Sequence, residues 1–332
     1  MSFNKNMQHK YTGLKLIIIA VCIAILNVTY VNAAELQLKV DTDQAADAAL
    51  HKKMLLLNDV LAERHAGQDI KLSMSPPATI TAEINDQSNI KALNEVLETE
   101  FPELEIVKLG DSPHFFALKF KAENAEALTN TILNQAQATI KNRLALLGVS
   151  AEVDAFPPNR LTVTTKDDAD ISRINGLVTQ TALLEFKTVN AVISEADLED
   201  RVIAAGFEIA REHPEFAGYA ENQVYILAKD AVLSGEHIIK AESVYEQNYD
   251  TYWIAIEFDE VGTKLFTEIT GVNVGWRLAI VLDGAVLSAP VIQERITGGK
   301  AIIAGDFTEQ ETRGLAALLQ AGSLPAPVKT VE

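Results

Sequence analysis

Val281-Leu282-Asp283-Gly284-Ala285-Val286-Leu287-Ser288 is the stretch that decides how the C-terminal half of this chain folds. Apolar runs at 277–282 and 285–292 flank an Asp-Gly pair. That pair can hold φ > 0 at both central positions of a type I′ turn, whose twist suits a tight hairpin. After Thr297-Gly298-Gly299 a third strand is expected at 301–304. Thr308-Glu309-Gln310-Glu311 then spells a capping box, in which Thr308 and Glu311 each satisfy a helix-start N–H. The helix it opens carries Leu315, Leu318 and Leu319 on one face and stops at Gly322, with Pro325 just beyond.

Toward the N-terminus the pattern gives two more units. A helix is expected at 45–66, strands at 70–74 and 78–84, a helix at 88–100 and strands at 104–109 and 115–120. A long helix capped by Asn124 follows, with Leu128, Ile132, Ala136, Ile140, Leu144 and Leu147 in step and Gly148 as its stop. Strands at 152–156 and 160–165, a helix around Ile171, Ile174 and Leu177, and a strand at 183–189 complete a βαββαβ order led by 115–120. Residues 191–223 read as helical and acidic (Asp197, Glu199, Asp200, Glu208, Glu212), broken by His213-Pro214, and suggest a mobile flap. Strands at 223–228 and 252–258 come next, with Asp259 capping a helix that bears Val261, Leu265, Phe266 and Ile269.

As a run of letters, VLDGAVLSAPVIQERITGGKAIIAG (281–305) followed by ALLQAGSLPAPVK (317–329) resembles the large periplasmic domain of SecD, a subunit of the bacterial preprotein translocase. The likeness continues in order at Ile140-Lys141-Asn142-Arg143-Leu144, at Ala182-Leu183-Leu184-Glu185-Phe186 and at Leu233-Ser234-Gly235-Glu236-His237-Ile238. It is weak before residue 120. The resemblance implies an α+β fold in three parts: a small N-terminal α+β unit (34–113), a ferredoxin-like (βαββαβ) base (114–190 with 324–332) and an inserted α+β head (191–323). It also implies hinge passages near Asn190 and Ser323, and an outer-face domain that engages emerging preprotein. The family's Asp-Leu-Arg/Gln-Gly-Gly stretch is replaced here by Glu35-Leu36-Gln37-Leu38-Lys39-Val40, and no run after Ala34 is long and apolar enough to span a bilayer. The expectation is a SecD-like accessory in export that lacks the C-terminal transmembrane helices and has no proton-driven activity of its own.

Residues 1–33 read as an export address. Lys5, Lys10 and Lys15 precede the apolar core 16–26, and Val31-Asn32-Ala33 offers small residues for cleavage between Ala33 and Ala34. A retained membrane anchor is the alternative, so the chain is expected either free in the periplasm or tethered to the periplasmic face of the inner membrane. Cys22 is the lone cysteine and lies within that segment, so disulfides and thiolate metal sites are excluded from the remainder. The formal charge of −18 falls to −21 without the leader, with 25 basic and 46 acidic residues, a field that repels nucleic acid.

Chemistry finds no foothold. His51, His65, His114, His213 and His237 show no HExxH spacing. Gly298-Gly299-Lys300 lacks the spacing of a phosphate loop, and Asp283 reads as a turn residue. No enzyme, metal or cofactor is expected. Leu184, Phe186 and Leu324 flank the expected hinges, and two readings stand for each: a strand-core side chain, or part of an adaptable apolar surface for an extended peptide. The expected partners are unfolded exported polypeptides and the Sec translocase. A rival reading makes the chain an envelope scaffold that docks through 191–223.

Overall fold

The structure, a computed structural model, describes residues 34–64, 70–86, 88–110, 114–166, 168–198, 201–214 and 223–331. The leader 1–33 with its cleavage residue Ala33, His65, Glu199, Asp200 and the 215–222 part of the acidic segment lie outside the described residues.

The first strand, β1 (Ala34–Val40), buries Leu36, Leu38 and Val40 and exposes the residues between them. The chain then leaves to build the N-terminal unit: α1 (Thr42–Glu63), β2 (Ile70–Met74), β3 (Ile80–Ile84), α2 (Ser88–Glu100), β4 (Leu104–Lys108) and β5 (Phe115–Phe120). Its antiparallel sheet runs β2-β3-β5-β4, and Leu50, Leu57, Ile80, Leu93 and Leu118 form its core.

The chain returns through α3 (Ala122–Leu146) to β6 (Ala151–Phe156), β7 (Arg160–Thr165) and α4 (Asp168–Thr179). These join β1 and the last strand, β17 (Val328–Thr330), in a sheet ordered β17-β1-β7-β6. Numbered within the unit, that order is 4-1-3-2, the ferredoxin-like plan expected from the βαββαβ reading. Leu38 faces Thr330 on one side and Leu161 on the other, so β1 is central. Leu38, Val163, Ile140, Ile174 and Leu324 share the core beneath it.

Between α4 and β17 lies the head. A five-strand path, β15-β14-β8-β10-β9, is made by β8 (Leu184–Ser194), β9 (Phe207–Arg211), β10 (Gln223–Ala228), β14 (Leu278–Leu282) and β15 (Ala285–Ser288). Its two ends meet where Glu212 bridges Val286 and His213 N donates to Val286 O. Ala279, Val281, Leu227 and Val286 fill the space so enclosed. Lys187, 5% exposed, donates to Glu208 Oε1 at 2.7 Å and sits 3.1 Å from Glu185 Oε2. Burial pulls its ammonium down, but the two carboxylates outweigh that and hold it above the ordinary lysine value.

A second head sheet, β12-β13-β16, consists of β12 (Ile238–Glu246), β13 (Thr251–Phe258) and β16 (Lys300–Phe307). The short β11 (Leu233–Ser234) pairs with β8. Helices α5 (Glu260–Val272) and α6 (Glu309–Ala321) complete the head core, where Phe186 meets Phe258 and Phe266 edge-on at ring-centroid distances of 5.6 and 6.2 Å. The Asp283-Gly284 turn has φ of 49° and 84°, as a type I′ hairpin requires. The capping box forms: Glu311 N donates to Thr308 Oγ1 at 3.3 Å and Thr308 N to Glu311 Oε2 at 2.7 Å. Asp259 caps α5, accepting from Gly262 N. Among the described residues, no helix is long and apolar enough to cross a membrane.

Four expectations are corrected. Phe115–Phe120, expected to lead the base, belongs to the N-terminal sheet, and β1 takes its place. The 183–189 strand lies in the head, and the base closes with β17. Both errors share a cause: β1, α3 and β17 meet across long insertions, and alternation in a strand does not name its partner. The described part of 191–223 is sheet and turn, since β8 continues through Ser194 and β9 pairs with β10. Asn124 sits inside α3, whose N-cap is Lys121.

Leu38 is fully buried, whereas Phe115 is 42% exposed. Leu38→Ala is expected to cost about 2–5 kcal/mol and Phe115→Ala less than about 1 kcal/mol in urea unfolding. Equal costs would contradict the placement of β1 in the base.

Candidate functional site

The chain crosses between base and head twice, once through Gln180-Thr181-Ala182-Leu183 and once through Gly322-Ser323-Leu324. A single side chain reaches both crossings. Arg143 lies on the apolar stripe of α3, one turn beyond Ile140 and beside Leu144, and is 0% exposed. Its Nη1 donates to Leu177 O at 3.1 Å and to Gln180 O, and its Nη2 donates to Thr181 O and Gly322 O, both at 3.0 Å. Three of these carbonyls close the end of α4 and the outgoing crossing, and the fourth caps α6 on the return. A planar guanidinium fork suits such divergent acceptors, where a point-like ammonium does not.

Asp283 completes the arrangement from the head. Its Oδ2 accepts from Ala182 N at 3.0 Å and its Oδ1 from Leu183 N at 2.8 Å, while its own N–H donates to Leu183 O at 3.0 Å. Burial brings the Arg143 guanidinium down to about 10, and the negative charge of Asp283 opposes that shift. The two crossings are also tied directly, Leu324 N donating to Thr181 O at 2.9 Å.

Beside this junction a groove of about 1900 Å³ separates base from head. Leu146 and Leu147 at the end of α3 and Leu177 of α4 form its base wall. Ala241, Glu242 and Ser243 of β12, with the opening turns of α6, form its head wall. Leu146 is 44% exposed, so an apolar side chain is on offer there. Glu309 in the head wall pairs with Arg313 and accepts from Tyr252 Oη at 3.2 Å.

The expected site residues fall as follows. Leu184 and Phe186, each 1% exposed, belong to the head core, and Leu324, 4% exposed, belongs to the base core. None of the three presents a surface, because each alternates onto the buried side of its own unit. Ser323 lies in the returning crossing. Asn190 does not: it sits within β8 where the pairing with β10 shifts register, and the outgoing crossing is at 180–183. His237 Nδ1 lies 3.1 Å from Asp259 Oδ2, and with the Gly262 N–H, the stronger influence, it holds that capping carboxyl below its usual range. Among the described residues, no group of His, Cys, Asp and Glu is arranged to hold a metal.

Three features escaped the pattern reading. Arg143 was legible as a cation on an apolar stripe, a position that demands buried partners. The carboxylate of Asp283 does more than shape its turn. The strand β12 was hidden because Lys240, Glu242 and Glu246 interrupt its apolar residues.

Residues 210–326 match the family model of the SecDF P1 head subdomain. The chain is 35% identical over 302 residues to the protein translocase subunit SecD of Syntrophobacter fumaroxidans, an alignment covering 89% of this chain and 56% of that protein. Against the SecD of Desulfurispirillum indicum the identity is 33% over 241 residues, 71% of this chain and 46% of that one. A solved structure described as a membrane component SecDF that enhances protein export aligns at 30% identity, with a TM-score of 0.48, over 61% of this chain and 92% of that chain. This chain spans about half the length of the curated relatives it matches.

Arg143→Met removes a side-chain donor from four part-buried carbonyls, of which Thr181 O keeps the Leu324 N–H, and is expected to cost about 3 kcal/mol or more in urea unfolding. Arg143→Lys is expected to fall between it and the parent chain. A Met variant within about 0.5 kcal/mol of the parent would contradict the assigned role.

Proposed function

We propose that this chain, a member of the SecD family, serves protein export by receiving an extended segment of unfolded polypeptide in the groove between base and head. The observation that carries the reading is that groove, with leucines on its base wall and a head wall that mixes polar side chains with Ala241, Leu315 and Ala316, in a chain whose residues 210–326 match the P1 head. An apolar wall of Leu146, Leu147 and Leu177 takes the greasy residues of an unfolded chain with little demand on sequence. The polar side chains of the opposite wall, Glu242, Ser243 and Gln310 among them, offer hydrogen bonds to main-chain groups. These leucines replace Leu184, Phe186 and Leu324 as the contact surface.

The relatives are named as subunits of a protein translocase. Those names support a reading in which this chain works on the periplasmic side of the inner membrane, beside the Sec translocase, with exported polypeptides as the second class of partner. Binding, not covalent chemistry, is the activity. A net charge of −18 is consistent with a protein ligand and opposes a nucleic-acid one.

A photo-crosslinker at Leu146 is expected to trap unfolded secretory chains several-fold more often than one at Leu55, which is 51% exposed on α1 and away from the groove. Equal trapping at the two positions would contradict the groove as the binding surface.

A further inference from the structure

We infer that the outer edge of β12 is a strand acceptor, pairing through its main chain with the extended segment that lies in the groove. This rests on the export reading above and names how the segment is held. Among the described residues, β12 pairs with β13 alone and stands at the end of the order β12-β13-β16. An edge strand turns the N–H and C=O of every second residue away from its sheet, and those groups bind any extended backbone regardless of sequence. The described sheets have other edges too, at β2, β4, β6, β16 and β17, but only β12 contributes residues to the groove wall, through Ala241, Glu242 and Ser243.

The side chains of β12 divide the groove from solvent. Ser243 Oγ and Thr312 Oγ1 lie 2.6 Å apart, which turns the odd positions 241, 243 and 245 toward α6. Glu242 and Glu246 therefore stand on the opposite face, and Glu242 is paired there with Lys240 at 2.9 Å. These charges discourage flat association of exposed edges without blocking the main chain. Base and head touch at the groove floor, where a Cβ added to Gly314 would come within 3.6 Å of Leu177 Cδ2, so the added strand lies along β12 above that contact.

A strand added beside β12 continues its alternation. One set of its side chains faces the α6 side, toward the leucine wall, and the other set faces the side of Glu242 and Glu246. The ligand class is accordingly an unfolded segment with apolar residues at every second position and polar or basic ones between. Segments of that pattern are β-strands of soluble proteins that have not yet folded, and proline within them interrupts the pairing.

The test uses the full chain and a ten-residue peptide of alternating Val and Lys, in three forms: unmodified, and N-methylated on alternate amides along one edge or along the other. N-methylation along the edge that faces β12 is expected to weaken binding by about tenfold or more, about 1.4 kcal/mol, while methylation along the other edge leaves it within about twofold. If all three forms bind alike and still compete with crosslinking at Leu146, or if both methylated forms weaken equally, the strand acceptor is overturned and the groove reading stands. If no form binds and Leu146 traps no unfolded chain, both fall.

Discussion

A buried guanidinium fixes how the two larger parts of this molecule meet. Arg143 is carried by a base helix, yet its four donated bonds go to carbonyls at both places where the chain passes between base and head. Taking a cation out of water costs several kcal/mol, which these four carbonyls offset through Nη1 and Nη2 while the buried Nε has no partner. The consequence is steric as well as energetic: the ends of α4 and α6 are held together, and the groove opens beside them. Asp283 adds to this from the head, because the residue that turns one hairpin also receives the N–H groups of the outgoing crossing.

The architecture that results is nested. β1 begins the base, the N-terminal unit is inserted before α3, and the head is inserted between α4 and β17. Such a base is completed only when its first and last strands meet, so β17, three residues long, closes the sheet that begins at Ala34. A head that both leaves and returns at one edge of the base is connected there by two short crossings, which is the geometry a single side chain can span. The groove beside those crossings, in a chain similar to SecD subunits, is what the proposed polypeptide-binding role rests on.

Much of this was legible in the letters. The Asp-Gly hairpin, the Thr308 capping box and the Asp259 cap are local chemistry, and each formed where the residues put it. Strand membership was not legible, because nothing local in 34–40 or 115–120 names the sheet that each will join. The same limit hid the exposed wall of the groove. Leu184, Phe186 and Leu324 stand near the crossings in sequence, but side-chain direction buries them, whereas Leu146 at the ragged end of α3 is exposed. Arg143 was visible as an anomaly on an apolar stripe, and its partners could only be found in three dimensions.

Pulsed dipolar spectroscopy tests the central claim most directly. Spin labels would be placed at Phe156 of the base and Val272 of the head, 53% and 76% exposed, with Cys22 replaced by serine. The parent chain is expected to give one narrow distance distribution, and Arg143→Lys a broadened one, because a single ammonium cannot hold both crossings. Superimposable distributions in the two proteins would show that base and head are held in register by something other than Arg143.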